Sequence, residues 1–254
     1  MSRTRHFIHI KRHNLLYGRV PKVANSSIKA ALCKLLEQKP SKGIKTTSDR
    51  FWREYTHDET ELLSPNQARK LRQTHESFSF VRNPFDRLIA AYNNKVLEIE
   101  MPPLPMRRMG VQHQMPFDAF LQVIAETPAE NLDVHLMPQS LLLCAGSQLV
   151  PKFIGRMEEM AAHWLILRKR LNKRGIRIRK ELPEKNVRRS SKISLQPFFK
   201  NPSIVDRFMD VYGRDVELFY PEVAIKDLIN NQPLAYQKPL KSSAIKLLTP
   251  EEQP

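Results

Sequence analysis

The chain has 254 residues, with 42 lysines and arginines against 26 aspartates and glutamates, a formal net charge of +16 and 41% hydrophobic residues. This length and apolar fraction are sufficient for a packed core. No stretch approaches the roughly 20 uninterrupted apolar residues of a membrane-spanning helix, and the basic N-terminal sequence lacks the apolar run of a secretory signal. The composition therefore excludes a membrane-spanning protein.

Cysteine and glycine are both scarce. The two cysteines, Cys33 and Cys144, are far apart in the sequence, which excludes a disulfide framework and a CxxC zinc module within the chain. The seven glycines form neither GxGxxG nor GxxxxGK. A bound nucleotide would therefore have to be held by a loop of other small residues.

The positive charge is concentrated in one segment. Residues 165–200 contain thirteen basic and two acidic residues. Such a run is typical of a solvated helix end and loop, and it also suits a positive surface that attracts a polyanion or an anionic cofactor. The run alone does not distinguish nucleic acid, acidic glycan and phosphorylated ligand.

The first predicted unit is a strand, a loop and a helix. LLYGRV, bounded by Pro21, has the short apolar pattern of a buried strand. A helix follows, with helical spacing of its apolar residues and with candidate N-cap residues directly before them. The apolar residues are Ile28, Ala31, Leu32 and Leu35, and the candidate caps are Asn25, Ser26 and Ser27.

The same pattern then recurs. SPNQARKLRQ predicts a short helix that starts at Ser64 with Pro65 in its first position. FSFV, residues 78–81, predicts a second buried strand, and RNPFDRLIAAYNNKVLEI predicts a helix from Pro84. Strands that alternate with helices favour an α/β fold with a parallel sheet.

The rest of the chain continues the alternation. MPPLPMRRMGVQHQM, with three prolines, predicts an irregular loop, and LMPQSLLLCA a loop with a short apolar element. PFDAFLQVIAE predicts a helix, KFIGRM a third strand, EEMAAHWLILRKRL the next helix, and SIVDRFMDVYGRDVELF a final helix pair. We expect one domain over residues 1–227 and a loosely attached tail over residues 228–254.

The loop from Pro21 to Ser27 lies between a predicted strand and a helix N-terminus. There the first backbone N–H groups and the positive end of the helix dipole attract an anion. Ala24, Asn25 and Ser26 are small, and Lys22 adds a positive charge. A plain capped helix with an incidental lysine would have the same sequence.

A second strand end carries an arginine. Arg82 follows FSFV directly, and ligands of open α/β sheets bind at the carboxyl ends of strands. Two such ends, one with lysine and hydroxyl groups and one with arginine, would hold the two ends of a doubly phosphorylated nucleotide.

Several segments resemble one family, in order, from about residue 14 to residue 220. They are VPKVANSS, FSFVRNPFDRLIAAYNNK, HLMPQSLLLC, FIGRMEEM and YGRDVELF. Together they resemble the sulfotransferases that use 3′-phosphoadenosine 5′-phosphosulfate (PAPS), and more closely the carbohydrate branch with the chondroitin 4-O- and HNK-1-type enzymes. The resemblance implies a P-loop-like three-layer α/β fold with a central parallel sheet flanked by helices.

The resemblance also implies roles for individual residues. Arg82 would bind the 3′-phosphate, and Arg87 would form a structural ion pair. We also expect Arg188, in the basic segment, to contact the cofactor. The 5′-phosphosulfate would be held by Lys22, Ala24, Asn25, Ser26 and Ser27.

Two positions depart from the family pattern. Where the family has a serine that completes the 3′-phosphate site, this chain has Ala90, and the cysteine that usually accompanies Cys144 is absent. The missing hydrogen bond to a charged phosphate is worth roughly 1.5–3 kcal/mol.

Sulfuryl transfer needs a cation on the leaving phosphate and a base for the acceptor hydroxyl, but no metal. Lys22 fits the cation. His135, in the His-x-x-Pro-Gln segment, is the candidate base, and His75 and His57 compete with it.

The sequence thus predicts an enzyme that moves a sulfuryl group from PAPS to a hydroxyl of a carbohydrate or glycoconjugate, with PAP as product. The alternatives are a non-catalytic protein that binds nucleic acid or polyanions through residues 165–200, and a nucleotide kinase, which lacks its GK[ST] motif. We expect no nucleic-acid partner and a bacterial-type cytoplasmic location, with the Golgi lumen as the alternative. The oligomeric state stays open.

Overall fold

The computed structural model describes residues 5–38, 40, 43–183, 194–231 and 238–241. Within these ranges the chain divides into two compact units. The sheet unit comprises the described parts of residues 4–81, 142–189 and 235–254, and the helical unit comprises those of residues 82–141 and 190–234. No helix in the described part of the chain is long and apolar enough to cross a membrane.

The strands all belong to the sheet unit. Their bounds are β1 Phe7–Ile10, β2 Leu15–Gly18, β3 Thr60–Leu63, β4 Glu76–Val81, β5 Cys144–Ala145, β6 Gln148–Leu149, β7 Phe153–Arg156 and β8 Leu240–Lys241. Six form one sheet in the order β3-β1-β2-β4-β7-β8, while β5 and β6 form a hairpin. The three strands predicted from the sequence, β2, β4 and β7, are parallel neighbours at the centre.

The edges of the sheet are antiparallel. β1 pairs with both β2 and β3, and β8 pairs with β7, each time in the antiparallel sense. The predicted α/β class and central parallel strands are confirmed, within a sheet that is mixed as a whole. β8 lies in the segment expected to be a loose tail, and the expected boundary at residue 228 falls inside a helix, Ile225–Ile229.

The helices are α1 Asn25–Leu32, α2 Asp49–Glu54, α3 Pro65–Leu71, α4 Pro84–Tyr92, α5 Leu104–Arg108, α6 Phe117–Glu126, α7 Gln139–Leu143, α8 Met160–Asn172, α9 Pro202–Phe219 and α10 Ile225–Ile229. In the sheet unit α8 packs against β7 and α2 against β3. In the helical unit α9 packs against both α4 and α6. A π-helical turn, Asn93–Leu97, follows α4 directly.

Local sequence explains several helix starts. Ser64 accepts a hydrogen bond from the backbone N–H of Gln67, whose side chain accepts one from the Ser64 N–H, which completes a capping box with Pro65 at the first position of α3. Asn83 caps α4 in the same sense, because its side chain accepts from the N–H of Phe85.

Two predicted segments are wrong in detail. The proline-rich segment expected to be an irregular loop contains α5, because Pro103 and Pro105 lie at its start, where proline fits a helix. The expected final helix pair is the single helix α9. Gly213 is buried inside it, with Met209 Cε 3.5 Å from where a Cβ would lie.

Aromatic side chains fill the core of the sheet unit. Tyr17 stacks on Phe78 with ring centroids 5.0 Å apart, and Phe80 contacts Trp164. Gly155 lets Phe80 approach the sheet, since a Cβ there would lie 2.3 Å from the Phe80 ring. Trp52 and Trp164 are fully buried, as expected of packing residues.

Candidate functional site

The loop between β2 and α1 is held in an unusual backbone conformation. Lys22 and Ala24 have φ values of 67° and 45°, in the left-handed region that residues other than glycine rarely adopt. Such residues cost on the order of 1–3 kcal/mol and cluster at functional sites. Val20 and Val23 are buried, which anchors the loop to the core. The fold therefore holds this loop in a defined conformation.

Helix α1 starts without a side-chain cap. Its N-cap residue is Ala24, whose side chain makes no capping hydrogen bond. The prediction that Asn25, Ser26 and Ser27 are N-cap residues is wrong, because all three lie inside the first turn of α1. The positive end of this helix thus meets small side chains and hydroxyl groups, the arrangement that suits an anionic group.

The buried tyrosine Tyr17 fixes the start of α1. Its hydroxyl donates to Asn25 Oδ1 at 3.2 Å. Burial raises the pKa of Tyr17 far above its ordinary value, with Arg19 opposing and Asp49 adding to the rise. The phenol therefore stays a neutral donor. The half-buried Lys22 and Ser26 complete a loop that carries one cation.

In the helical unit, hydrogen bonds hold both the backbone and the side chain of Arg82. It follows β4 in the chain, and its N–H donates to Gln139 Oε1 at 3.0 Å while its carbonyl oxygen accepts from Gln139 Nε2 at 2.8 Å. Its Nε donates to Asp86 Oδ2 at 2.8 Å, and its side chain is 17% exposed. Both the backbone and the guanidinium group are thus oriented.

A buried carboxylate holds Gln139 in turn. Asp215, on α9, accepts from the N–H of Gln139 and from the N–H of Ser140, each at 2.7 Å. Burial raises the pKa of Asp215, and the hydrogen bonds and the buried positive charge of Arg87 oppose that rise. Arg87 is buried beside this carboxylate, which agrees with a structural role.

His135 forms a pair with a buried aspartate. Its Nδ1 lies 2.8 Å from Asp133 Oδ1, which also accepts from the His135 backbone N–H at 2.8 Å. Burial would raise the pKa of Asp133, but its hydrogen bonds with His135 and the imidazole charge lower it overall. A carboxylate only accepts, so Nδ1 carries the hydrogen and Nε2 is the basic nitrogen.

The competing histidines have other surroundings. His75 precedes β4, so it lies at the opposite end of that strand from Arg82, and its Nε2 lies 3.0 Å from His9 Nε2. His57 is an exposed turn residue before β3. Of the three candidates, His135 alone belongs to the segment that holds Arg82 in place.

The remaining predicted residues are placed as follows. Ala90 is half-buried on α4, and its methyl group cannot donate to a phosphate. Arg188 lies outside the described residues. Lys22, Ala24, Asn25, Ser26 and Ser27 lie together in the sheet unit, while Arg82, Ala90 and His135 belong to the helical unit. The described residues include no group of three or more His, Cys, Asp or Glu that could hold a metal ion.

Sequence reasoning missed the residues that support the site. Tyr17, Asp133, Gln139 and Asp215 each lie in or beside a segment that was singled out, yet each acts through a contact with another element or a neighbouring turn. Only the Asp-x-His spacing of Asp133 and His135 could have been found from the sequence. Gln139 and Asp215 lie in the His-x-x-Pro-Gln and YGRDVELF segments, but no local signal shows that they contact Arg82 and each other.

The chain thus has a parallel-centred α/β sheet with a small-residue loop that starts a helix at the carboxyl end of a central strand, an arrangement typical of α/β proteins that bind phosphate groups. The sequence model of the Sulfotransferase family matches residues 5–221. The chain belongs to this family.

The curated relatives carry related names. Carbohydrate sulfotransferase 14 of Mus musculus is 30% identical over 176 residues, 62% of this chain and 44% of the relative. The Homo sapiens protein of that name is 28% identical over 175 residues, 62% of this chain and 44% of the relative. Carbohydrate sulfotransferase 12 of Mus musculus is 27% identical over 197 residues, 61% of this chain and 45% of the relative.

The chain thus spans less than half of the length of the curated relatives it matches. No solved structure matches it.

Proposed function

We propose that the protein transfers a sulfuryl group from PAPS to a hydroxyl group of a carbohydrate or glycoconjugate. The observation that carries the proposal is the loop at residues 21–27, left-handed at Lys22 and Ala24, in a chain that belongs to the Sulfotransferase family. The names of the relatives support a carbohydrate acceptor.

The loop fits the 5′ end of the donor. The start of α1 offers backbone N–H groups without a side-chain cap, and Ser26 and Ser27 add hydroxyl donors. When bound, PAPS supplies an electrophilic sulfur whose bond to the bridging phosphate oxygen breaks as the acceptor hydroxyl attacks. Lys22 would stabilise the negative charge on that oxygen, and the dipole of α1 would act in the same direction.

Arg82 would bind the 3′-phosphate. Its guanidinium group is oriented by Asp86, and its backbone by Gln139. A planar guanidinium binds phosphate through paired hydrogen bonds. Ala90 cannot supply the hydroxyl expected at this position, so Arg82 would carry most of the discrimination for the 3′-phosphate.

His135 would be the general base. With Nδ1 donating to Asp133, the imidazole presents Nε2 as its proton acceptor, and the side chain is 30% exposed. The acceptor hydroxyl would lose its proton to Nε2 during the attack. Asp133 would fix the tautomer and stabilise the imidazolium ion that forms, the role of the carboxylate in a catalytic triad.

Nucleotide binding tests the proposal directly. The protein should be retained on immobilised 3′,5′-adenosine bisphosphate and released by PAP but not by 5′-AMP. With labelled PAPS and a panel of glycans, label should pass to at least one carbohydrate. If the protein does not bind the bisphosphate but binds polyanions, the non-catalytic alternative is correct.

We also propose that the protein works in the Golgi lumen rather than in the cytoplasm. The relatives named carbohydrate sulfotransferase 14, all of animals, support this alternative. Fractionation of cells that express the protein would test it, because an activity found in the cytosolic fraction would contradict the luminal location.

A further inference from the structure

Four cationic side chains of the sheet unit lie near the start of β4, where the buried carboxylate of Glu76 is located. Glu76, the first residue of β4, accepts from Arg170 Nε at 2.8 Å and from Arg170 Nη2 at 2.7 Å. Arg174 Nε lies 3.9 Å from the other carboxylate oxygen of Glu76. Lys152 interacts electrostatically with Glu76, and Arg72 interacts electrostatically with Lys152. We call Arg72, Lys152, Arg170 and Arg174 the β4-start cluster.

The members of the cluster are held in place by the fold. Lys152 Nζ donates to the carbonyl oxygen of His75 at 2.8 Å, and Arg72 Nε donates to that of Val150 at 3.2 Å. Glu76 itself is buried, with 5% of its side chain exposed. Side chains that are already ordered lose less conformational entropy when they bind a ligand.

The cluster has an excess of positive charge. It sets four cations against the one carboxylate of Glu76. Burial lowers the pKa of Lys152, Glu76 opposes the shift, and the charges of Arg72, Arg174 and Arg170 lower it further. The neighbouring positive charges thus favour an anionic ligand at this cluster.

The cluster lies away from the loop proposed to bind the nucleotide. In the sheet, Glu76 is level with Leu15, the first residue of β2, whereas the loop follows Gly18 at the other end of that strand. The six residues of β4 extend about 16 Å at roughly 3.3 Å per residue. The nucleotide is therefore not the anion that this cluster would bind.

We propose that the β4-start cluster binds an acidic polysaccharide chain at a distance from the reacting hydroxyl group. The inference rests on the proposed function, because a carbohydrate acceptor makes a glycan the expected polyanion. Guanidinium groups match carboxylate and sulfate geometry through paired hydrogen bonds.

Exposed neighbours extend the positive surface on both sides of Arg170 in the chain. Lys169, Lys173 and Arg177 are all exposed. Residues 165–183 contain no aromatic residue. Single-stranded nucleic acid is usually bound by stacking of its bases on aromatic side chains, so this surface suits a glycan better.

A double variant tests the proposal. Arg72→Gln with Arg174→Gln removes two charges of the cluster and spares the Arg170–Glu76 ion pair. Lys34→Gln with Arg53→Gln removes two exposed charges elsewhere in the same unit and serves as the matched control. The probe is fluorescent hyaluronan of defined chain length, and its Kd is measured over a series of salt concentrations.

We expect the cluster variant to bind hyaluronan at least about tenfold more weakly than the wild type and with a flatter salt dependence. The control should bind like the wild type, and all three proteins should bind PAP equally. Unaltered PAP binding also shows that the variant is folded. Should the double variant lose PAP binding, Arg174→Gln alone carries the test, because this side chain is 66% exposed.

Three results would overturn the proposal. Equal weakening in the control would mean that overall charge, not the cluster, attracts the glycan. Unchanged hyaluronan binding in the cluster variant would mean that the cluster takes no part. Tighter binding of a single-stranded oligonucleotide, lost in the cluster variant, would assign the surface to nucleic acid. A wild type that binds hyaluronan but not PAP would instead contradict the proposed function and leave the cluster's assignment standing.

Discussion

The side-chain amide of Gln139 clamps the backbone of Arg82 from both sides, accepting from its N–H and donating to its carbonyl oxygen. Asp215 holds the N–H of Gln139 and so connects α9 to this clamp. Three segments that are far apart in the sequence are thereby joined within the helical unit. The position of the proposed 3′-phosphate arginine depends on all three.

Replacing Gln139 should weaken recognition of the 3′-phosphate. Gln139→Leu leaves the N–H and C=O of Arg82 without these partners, at a cost of about 1–3 kcal/mol per buried group. We expect the affinity for PAP to fall more than the affinity for 5′-AMP, measured by calorimetry. Gln139→Glu is the matched control, because it can still accept from the Arg82 N–H, and its loss should be smaller. Equal affinities for PAP in wild type and Gln139→Leu would contradict the role.

Local patterns predicted the elements that carry the proposed ligand groups. Short apolar runs marked β2, β4 and β7, and helical spacing with Ser64 or Pro84 marked α3 and α4, because these signals are local. β1, β3 and β8 of the main sheet were missed. His6, His9 and Lys11 interrupt the apolar pattern around β1. β8 has two residues and depends on β7 for its pairing.

The proposed nucleotide loop was predicted in place but not in conformation. Its residues are small and polar, as an anion site requires, yet nothing local shows that Lys22 and Ala24 adopt left-handed φ values. The contacts of Gln139 and Asp215 depend on tertiary packing between distant segments. Such contacts have no sequence period, so pattern analysis does not find them.

Restoring a hydroxyl on α4 should strengthen donor binding. Ala90 is half-buried, so serine fits there with little change in volume. A new hydrogen bond to a charged phosphate contributes roughly 1.5–3 kcal/mol, or about tenfold or more in Kd. We expect Ala90→Ser to bind PAP more tightly and 5′-AMP unchanged, by calorimetry. In an Arg82→Ala background most of this gain should vanish, and a gain of the same size for both nucleotides would contradict the assignment.

Removing the loop lysine should stop turnover without unfolding the protein. The Lys22 ammonium is proposed to stabilise charge on the leaving phosphate, an effect worth a few kcal/mol in the transition state. We expect Lys22→Ala to lower kcat by at least about 10², with an unchanged circular dichroism spectrum and a small change in PAP affinity. Lys34→Ala, at an exposed position after α1, is the control and should transfer sulfuryl groups at the wild-type rate. Near wild-type turnover of Lys22→Ala would show that Lys22 does not stabilise the leaving phosphate.

The ion pairs of Asp49 with Lys29 of α1 and with Arg19 should make the free energy of unfolding depend on pH. Asp49 lies 2.5 Å from Lys29 Nζ and also pairs with Arg19, and both cations are buried. Burial would raise the pKa of Asp49, but these two charges and their hydrogen bonds lower it overall from 3.8 to about 2. Because the folded-state pKa is lowered, the stabilisation is present above about pH 4 and is lost as the pH falls towards about 2.

Urea unfolding at about pH 6 and about pH 3 measures this effect. We expect Asp49→Asn to be less stable than the wild type at the higher pH and to lose less stability on acidification. Asp58→Asn, at an exposed turn position, is the matched control and should follow the wild type. The same acid-induced loss in Asp49→Asn and wild type would show that other carboxylates are responsible.

The pair formed by His135 and Asp133 predicts two different kinetic defects. If Nε2 of His135 takes the acceptor proton, His135→Ala should lower kcat by about 10² to 10⁴ with PAP affinity nearly unchanged, and it should lose the fall in rate at acid pH that protonation of the imidazole causes. Asp133→Asn keeps the shape of the side chain but removes its charge, so it should lower kcat, because the imidazolium ion that forms during the attack loses a stabilising carboxylate. The measurement is kcat against pH for both variants, with PAP affinity as the control for folding. A purely structural role for Asp133 would lower stability and leave kcat of the folded variant unchanged. Full activity of His135→Ala would place the base elsewhere, and a raised acceptor KM with kcat preserved would assign His135 to positioning of the acceptor.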